Sequence, residues 1–259
     1  MKVLFIGDIV GGPGRNYLKE RLPQIRKEES IDCVIANGEN SAGGSSITFQ
    51  TAKEIIDCGV DFITSGDHIF KKKESKEALE KLDVLRPLNY GNLAYGRGYL
   101  IKEIKNVNVG VINLLGRVFM QPIDCPFKSV RDILDEIRSK AKVIVVDIHA
   151  EATSEKLALG YFLGGKVSAV IGTHTHIPTA DERIIDGFTA YITDVGMTGS
   201  FDSILGREKY RIIERFITNL PVRFNLAEED VRIQGVILEI DSLTGRSLNI
   251  KRVEYKKEV

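Results

Sequence analysis

The chain has only four histidines, His68, His149, His174 and His176, and each follows a short apolar run. Asp8, Glu39 with Asn40, and Asp67 stand in the same kind of position, after Val3–Ile6, Val34–Ala36 and Phe62–Thr64. Carboxylate oxygens and imidazole nitrogens together suit iron, manganese or zinc, whereas calcium takes oxygen alone. His174 and His176 are two apart. On an extended segment they would point the same way, while on a turn after a strand they can serve two adjacent ions. One carboxylate, with Glu39 the candidate, can bridge two ions roughly 3.5–4 Å apart. A single histidine is more often a surface or core residue than a ligand, and Asp8 alone could merely cap a turn. Seven ligand-type residues (Asp8, Glu39, Asn40, Asp67, His149, His174 and His176) at five strand ends form a much stronger pattern.

The elements that must position these residues read as alternating strands and helices. Val3–Ile6 is a continuous apolar run, as expected of a strand buried on both faces. Helical spacing covers Asn16–Lys27 and Thr51–Cys58, the latter stopped by Gly59. Glu74–Leu82 reads as a solvated helix and Val130–Ser139 as an amphipathic one. Tyr99–Ile104 and Val107–Leu115 are strands broken by Lys105-Asn106. Val143–Ile148 and Val167–Ile171 are apolar strands, with the helix Ser154–Leu163 between them. Asp186-Gly187 is a type I′ hairpin signal, and Val231–Ile240 with Ser247–Tyr255 flank a turn at Thr244-Gly245. Ligands of open α/β sheets sit beyond the carboxyl ends of the strands, which is where these polar residues fall.

Bulk properties narrow the function further. The 259 residues carry no linker-like shift in composition and read as a single domain, 1–259. Hydrophobic residues make up 43 %, enough for a core without staples. Lys+Arg and Asp+Glu are both 36, so a stable nucleic-acid partner is disfavoured. Cys33, Cys58 and Cys125 form no CxxC pair, and Cys33 reads as a buried reduced thiol. With no signal peptide and no membrane-length segment, a cytoplasmic location and no membrane partner are expected.

Several alternatives fail on spacing. Gly7–Gly14 is glycine-rich after a first strand but lacks G-x-G-x-x-G and contains Pro13. Its glycines are expected in a tight turn or in close backbone approach to the metal site. There is no G-x-x-x-x-G-K-[ST] phosphate loop and no G-x-S-x-G elbow. Lys71-Lys72-Lys73 is most simply a solvated helix start, although it follows His68 closely enough to attract anions.

The order Gly7-Asp8, Gly38-Glu39-Asn40, Gly66-Asp67-His68, a lone His149 and Thr173-His174-Thr175-His176 resembles the calcineurin-like metallophosphoesterases. The missing histidine after Asp8, glutamate at Glu39, Asn113–Arg117 and Asp194–Gly199 narrow the resemblance to the YmdB-like branch, over essentially the whole chain. The resemblance implies a four-layer αββα sandwich with mixed central sheets and a di-iron site, manganese or zinc being alternatives. Asp8, Glu39, Asn40 and His176 would hold one ion, and Glu39, Asp67, His149 and His174 the other. His68 would be the proton donor. The implied activity is hydrolysis of cyclic nucleotides, 2′,3′-cAMP above all with 3′,5′-cAMP as a further candidate, by attack of a metal-bridging hydroxide. A cyclic-nucleotide-sensing regulator with weak hydrolysis is the rival, an RNA nuclease is a weaker one, and homo-oligomerisation stays open. Where the family usually has asparagine, this chain has Asp67. Three carboxylates and a hydroxide balance two divalent ions, which predicts tighter metal binding, a shift toward ferric iron and weaker attraction for phosphate.

Overall fold

The structure, a computed structural model, describes residues 1–256. Its strands are β1 Lys2–Ile6, β2 Asp8–Ile9, β3 Cys33–Asn37, β4 Phe62–Thr64, β5 Tyr99–Ile104, β6 Val107–Leu115, β7 Val143–His149, β8 Ala169–Thr173, β9 Arg183–Ile185, β10 Thr189–Ile192, β11 Met197–Ser200, β12 Val231–Ile240 and β13 Ser247–Lys256. Its helices are α1 Gly11–Glu28, α2 Phe49–Asp57, α3 Ser75–Lys81, α4 Pro126–Lys140, α5 Thr153–Leu163 and α6 Lys209–Thr218.

The strands form two mixed sheets. The first runs β2-β11-β12-β1-β3-β4, with β13 on the other edge of β12. The second runs β5-β6-β7-β8-β10-β9. Within them β1, β3 and β4 are mutually parallel, as are β6, β7, β8 and β10, so their carboxyl ends gather at common edges. Antiparallel β12, β5 and β9 need no crossover helix.

Period-two alternation decides which layer each side chain joins. Val3 and Phe5 of β1, with Cys33, Ile35 and Phe62, face Val109, Val111, Val145 and Ile171 across the space between the sheets. Leu4 and Ile6, with Val34 and Ala36, face Leu18, Leu22 and Ile55 of α1 and α2. On the far face of the second sheet, Ile112, Val146 and Val170 meet Val130, Leu134 and Leu159 of α4 and α5. The result is the four-layer αββα sandwich. Each such buried side chain contributes roughly 1.5–3 kcal/mol by leaving water. Cys33 lies in the middle layer, and burial pushes its thiol pKa far up, so it is inert. No helix among the described residues is long and apolar enough to cross a membrane.

Local structure departs from the sequence expectations in three places. Helix α1 starts at Gly11, five residues before the expected Asn16, because Pro13 is acceptable in a first turn, where its missing N–H has no partner to lose. Gly14 there approaches β11, where a Cβ would stand 2.3 Å from the Thr198 carbonyl, while Gly11, at positive φ, donates its N–H to the Asn40 carbonyl at 2.9 Å. Strands β2 and β11 are short and polar, so no apolar pattern announces them. Helix α6 has an apolar stripe at Ile212, Ile213, Phe216 and Ile217 but buries only Ile212. The Lys105-Asn106 and Asp186-Gly187 breaks both become tight hairpins with positive φ at both residues, as type I′ turns require.

Candidate active site

The strand ends deliver their polar side chains to one place, and close backbone approach makes this feasible. Gly66 lies so near the cluster that a Cβ would sit 2.1 Å from His149 Cδ2 and 2.4 Å from Glu39 Oε2. Any larger residue would expel one of them. Asn113 holds the preceding residue by both backbone groups: its Oδ1 accepts from Ser65 N at 2.9 Å and its Nδ2 donates to Ser65 O at 3.0 Å. This fixes the path into Gly66-Asp67-His68.

The turn carrying His174 and His176 is held in a similar way. Both residues have positive φ, 102° and 63°, a conformation that costs of order 1–3 kcal/mol and needs support. Asp194 supplies it, accepting from Thr175 N at 3.0 Å and Gly196 N at 2.9 Å. The Asp194 carboxylate is balanced by Lys156 Nζ at 2.9 Å, and both residues are fully buried. Asp8 Oδ2 accepts from His174 N at 3.2 Å, tying the first strand to the last ligand turn.

The seven expected ligands and His68 come together. One ligand-capable atom each of Glu39, Asp67, His149 and His174 lies within 4.8 Å of the others. Glu39 Oε1 is 3.2 Å from His149 Nε2, and His149 Nε2 is 3.0 Å from His174 Nδ1. On the other side of Glu39, Asn40 Nδ2 is 3.1 Å from Glu39 Oε1 and 3.2 Å from His176 Nε2, and His176 Nε2 is 3.7 Å from Asp8 Oδ1. Glu39 thus stands between two half-sites. His174 and His176 diverge, one into each half, because both lie on a turn and not on a strand.

Each of the three histidines has its outward nitrogen held by an oxygen. His176 Nδ1 faces the Leu205 carbonyl at 3.3 Å, and His174 Nε2 faces Glu151 Oε2 at 3.2 Å. Carbonyl and carboxylate oxygens can only accept, so these nitrogens carry hydrogen. His149 Nδ1 lies 2.9 Å from Thr173 Oγ1, whose own hydrogen goes to Asp147 Oδ1 at 2.7 Å. That hydroxyl is therefore an acceptor toward His149, whose Nδ1 also carries hydrogen. All three rings thus aim their other nitrogen inward, the orientation of metal-ligating histidines.

The electrostatics also ask for positive charge. Burial alone would raise the pKa of Asp8, but His176 and His149 outweigh it and hold the carboxyl well below its usual range. Asp67 is lowered in the same way, burial being outweighed by His149, His68 and His174. His149 is raised despite burial, by Glu39, Asp67 and Asp8, and His176 is raised by Asp8. His174 is lowered by burial and by the neighbouring His149. Buried Asp8 Oδ1 and Asp67 Oδ1 make no hydrogen bond of good geometry and have only histidine nitrogens 3.4–3.7 Å away. A cation fits this donor set better than protons do, since the ligands need only shed them.

His68 differs from the other three. Its ring is partly exposed, its Nδ1 is 2.7 Å from Asn40 Oδ1, and its Nε2 is 3.5 Å from Asp67 Oδ2. It borders a cavity of 650 Å³ together with Glu39, Asn40, His174, His176 and Lys71.

Sequence reasoning missed the supporting residues. Asp147 is fully buried, and burial pushes its pKa up to about 7. It accepts from Thr64 Oγ1 and Thr173 Oγ1, while Asn37 Nδ2 lies 3.2 Å away. A lone aspartate inside the apolar run of β7 was the available signal. Glu151, two residues after His149, and Lys156 carried none, because charged residues are ordinary near a helix start.

The sequence profile described as YmdB-like protein matches residues 4–253. A protein of Bacillus subtilis (strain 168) named 2′,3′-cyclic-nucleotide 2′-phosphodiesterase is 44 % identical, covering 98 % of this chain and 96 % of its own. A crystal structure of a hypothetical protein from Thermus thermophilus superposes with a TM-score of 0.94 at 39 % identity, over 100 % of both chains. One described as a novel phosphatase of Mycoplasma pneumoniae does so with 0.92 at 32 % identity, over 99 % of this chain and 93 % of that one. With matches of this extent, and with the fold and strand-end cluster described above, the chain belongs to the YmdB-like family of metallophosphoesterases.

Proposed function

We propose that this chain is a two-metal phosphodiesterase that opens 2′,3′-cyclic nucleotides, 2′,3′-cAMP above all, at the 2′ oxygen. The observation that carries the proposal is the set of three histidines aimed inward by outer oxygen partners, beside two buried carboxylate oxygens that make no hydrogen bond of good geometry. Asp8, Asn40 and His176 would hold one ion and Asp67, His149 and His174 the other, with Glu39 between the two half-sites. Mixed oxygen and nitrogen donors suit iron, with manganese or zinc as alternatives. When bound, such ions supply Lewis acidity toward the phosphoryl oxygens and activate water for attack at phosphorus.

The chain's own residues do the rest. Lys71, Arg207 and Arg215 line the cavity and attract the anionic ester. In the structure Asn40 Oδ1 faces His68 Nδ1; holding an ion through that oxygen would need the amide turned over, which would bring Nδ2 to His68 Nδ1 as a donor. His68 then accepts there and carries its proton on Nε2. That proton goes to the ribose 2′ oxygen as the bond from phosphorus to it breaks, leaving a 3′-phosphate. A cavity of 650 Å³ suits a mononucleotide, and 3′,5′-cAMP is a second substrate of the same size. Both sheets share one middle layer of side chains, which is why the whole chain, 1–259, is taken as one domain.

Metal analysis together with turnover on a panel of cyclic nucleotides and simple phosphodiesters tests the reading. About two ions per chain and turnover of 2′,3′-cAMP are expected. Tight binding of cyclic nucleotide without turnover at full metal loading would make the protein a nucleotide sensor instead.

A further inference from the structure

The cavity at the metal-type cluster has a second wall whose chemistry differs from the first. It is built from the segment 204–224, which follows the last strand end. Ile204 and Arg207 exchange backbone hydrogen bonds at 2.9 and 3.0 Å around Leu205-Gly206, both with positive φ, a two-residue type I′ turn. The turn packs on Val10, where a Cβ on Gly206 would stand 2.7 Å from Val10 Cγ1. Its tip does two things. The Leu205 carbonyl faces His176 Nδ1, and the Leu205 side chain lines the cavity.

Beyond the turn, Ile212 and Phe216 of α6 and then Phe224 continue the lining. Arg207 locks this wall to the opposite loop by donating to the Gly43 and Gly44 carbonyls as well as to that of Phe224. Those glycines follow Glu39 and Asn40 closely, so the wall keeps a set distance from the cluster. Phe216 is 81 % exposed and Phe224 41 % exposed. Two aromatic rings and a leucine left facing solvent inside a cavity are unfavourable unless something apolar covers them.

Resting on the phosphodiesterase reading, we infer that Leu205, Phe216 and Phe224 form the site for the nucleobase of the substrate. An ester whose phosphate lies among the histidines and Lys71 has its remaining mass against this wall, because both line the same cavity. The three side chains offer π faces and methyl groups and no hydrogen-bonding atom. The wall therefore holds a ring by stacking without reading its edge. It accepts any base, purines more tightly than pyrimidines by area, and it discriminates against esters that lack a base.

The test is a comparison of two esters on the metal-loaded full chain: 2′,3′-cAMP, and ribose 2,3-cyclic phosphate, which lacks the base. The wild type should favour 2′,3′-cAMP by on the order of tenfold or more in kcat/KM, the scale of one base stacked on an aromatic ring. In the double variant Phe216→Ala/Phe224→Ala that preference should collapse, mostly through KM. Equal losses on both esters, or an unchanged preference, would overturn the base site while leaving the phosphodiesterase reading intact. No turnover of either ester by the wild type overturns the underlying reading instead. Saturation-transfer NMR with adenosine gives a readout that needs no turnover. Base protons should receive saturation from the wild type and lose it with the double variant, and equal saturation in both would count against the wall.

Discussion

The two walls of the cavity are built on opposite principles. The polar wall consists of strand ends whose side chains are each held by a second residue: His149 by Thr173, His174 by Glu151, the turn of His176 by Asp194. The apolar wall consists of a turn and a helix that bury little, fastened mainly by Arg207 and by packing on Val10. In-line phosphoryl chemistry needs positions fixed to fractions of an ångström. Stacking tolerates displacement in the plane of the ring. On this reading the sandwich carries the reaction, and the apolar wall carries selection among substrates.

That contrast can be broken from the polar side first. Replacing His68 by alanine removes a proton donor and no ligand, so the metal content should be kept while kcat falls by about 10²–10⁴. Loss of metal from this variant would make His68 a ligand and the assignment wrong. Next comes the buried pair under the histidine turn. Lys156→Met leaves Asp194 charged and unpaired, which should destabilise the fold by about 3–5 kcal/mol, read by urea or thermal unfolding. A shift within error would mean that Asp194 has another counter-charge.

Thr173→Val cuts the link from His149 to Asp147 without touching a ligand atom. Metal affinity should weaken by roughly 10–100-fold in a chelator competition, with kcat at saturating metal largely kept. The smallest effect is expected at Asp67→Asn, which leaves an oxygen donor in place but removes one negative charge. Preference should move from ferric toward divalent ions by a few-fold, and KM for the anionic ester should fall, since one charge at roughly 4 Å is worth about 1 kcal/mol where water screens it. Identical metal content and kinetics would show that the extra carboxylate is without consequence.

The sequence by itself determined the mixed sheets with helices outside and the strand ends of the polar wall, while the four-layer sandwich followed from the family resemblance. Apolar runs of three to six residues followed by Asp, Glu or His announce buried parallel strands with polar side chains at their carboxyl ends, since a side chain there needs only a short excursion to reach the common edge. The residues beside these runs were legible because local pattern and position coincide. Asp147, Glu151 and Lys156 were not legible. Their importance lies in contacts made across the fold, such as Lys156 of α5 with Asp194 some 38 residues later.

The apolar wall was hidden for a different reason. Helix α6 spaces Ile212, Ile213, Phe216 and Ile217 as an amphipathic helix does, yet buries only Ile212, so the pattern announces a helix but not what its apolar face meets. Only tertiary structure decides that Leu205, Phe216 and Phe224 share a cavity with His174 and His176. Hydrophobic periodicity reports that a face is apolar, not what covers it. It cannot report apolar surface kept open for a ligand.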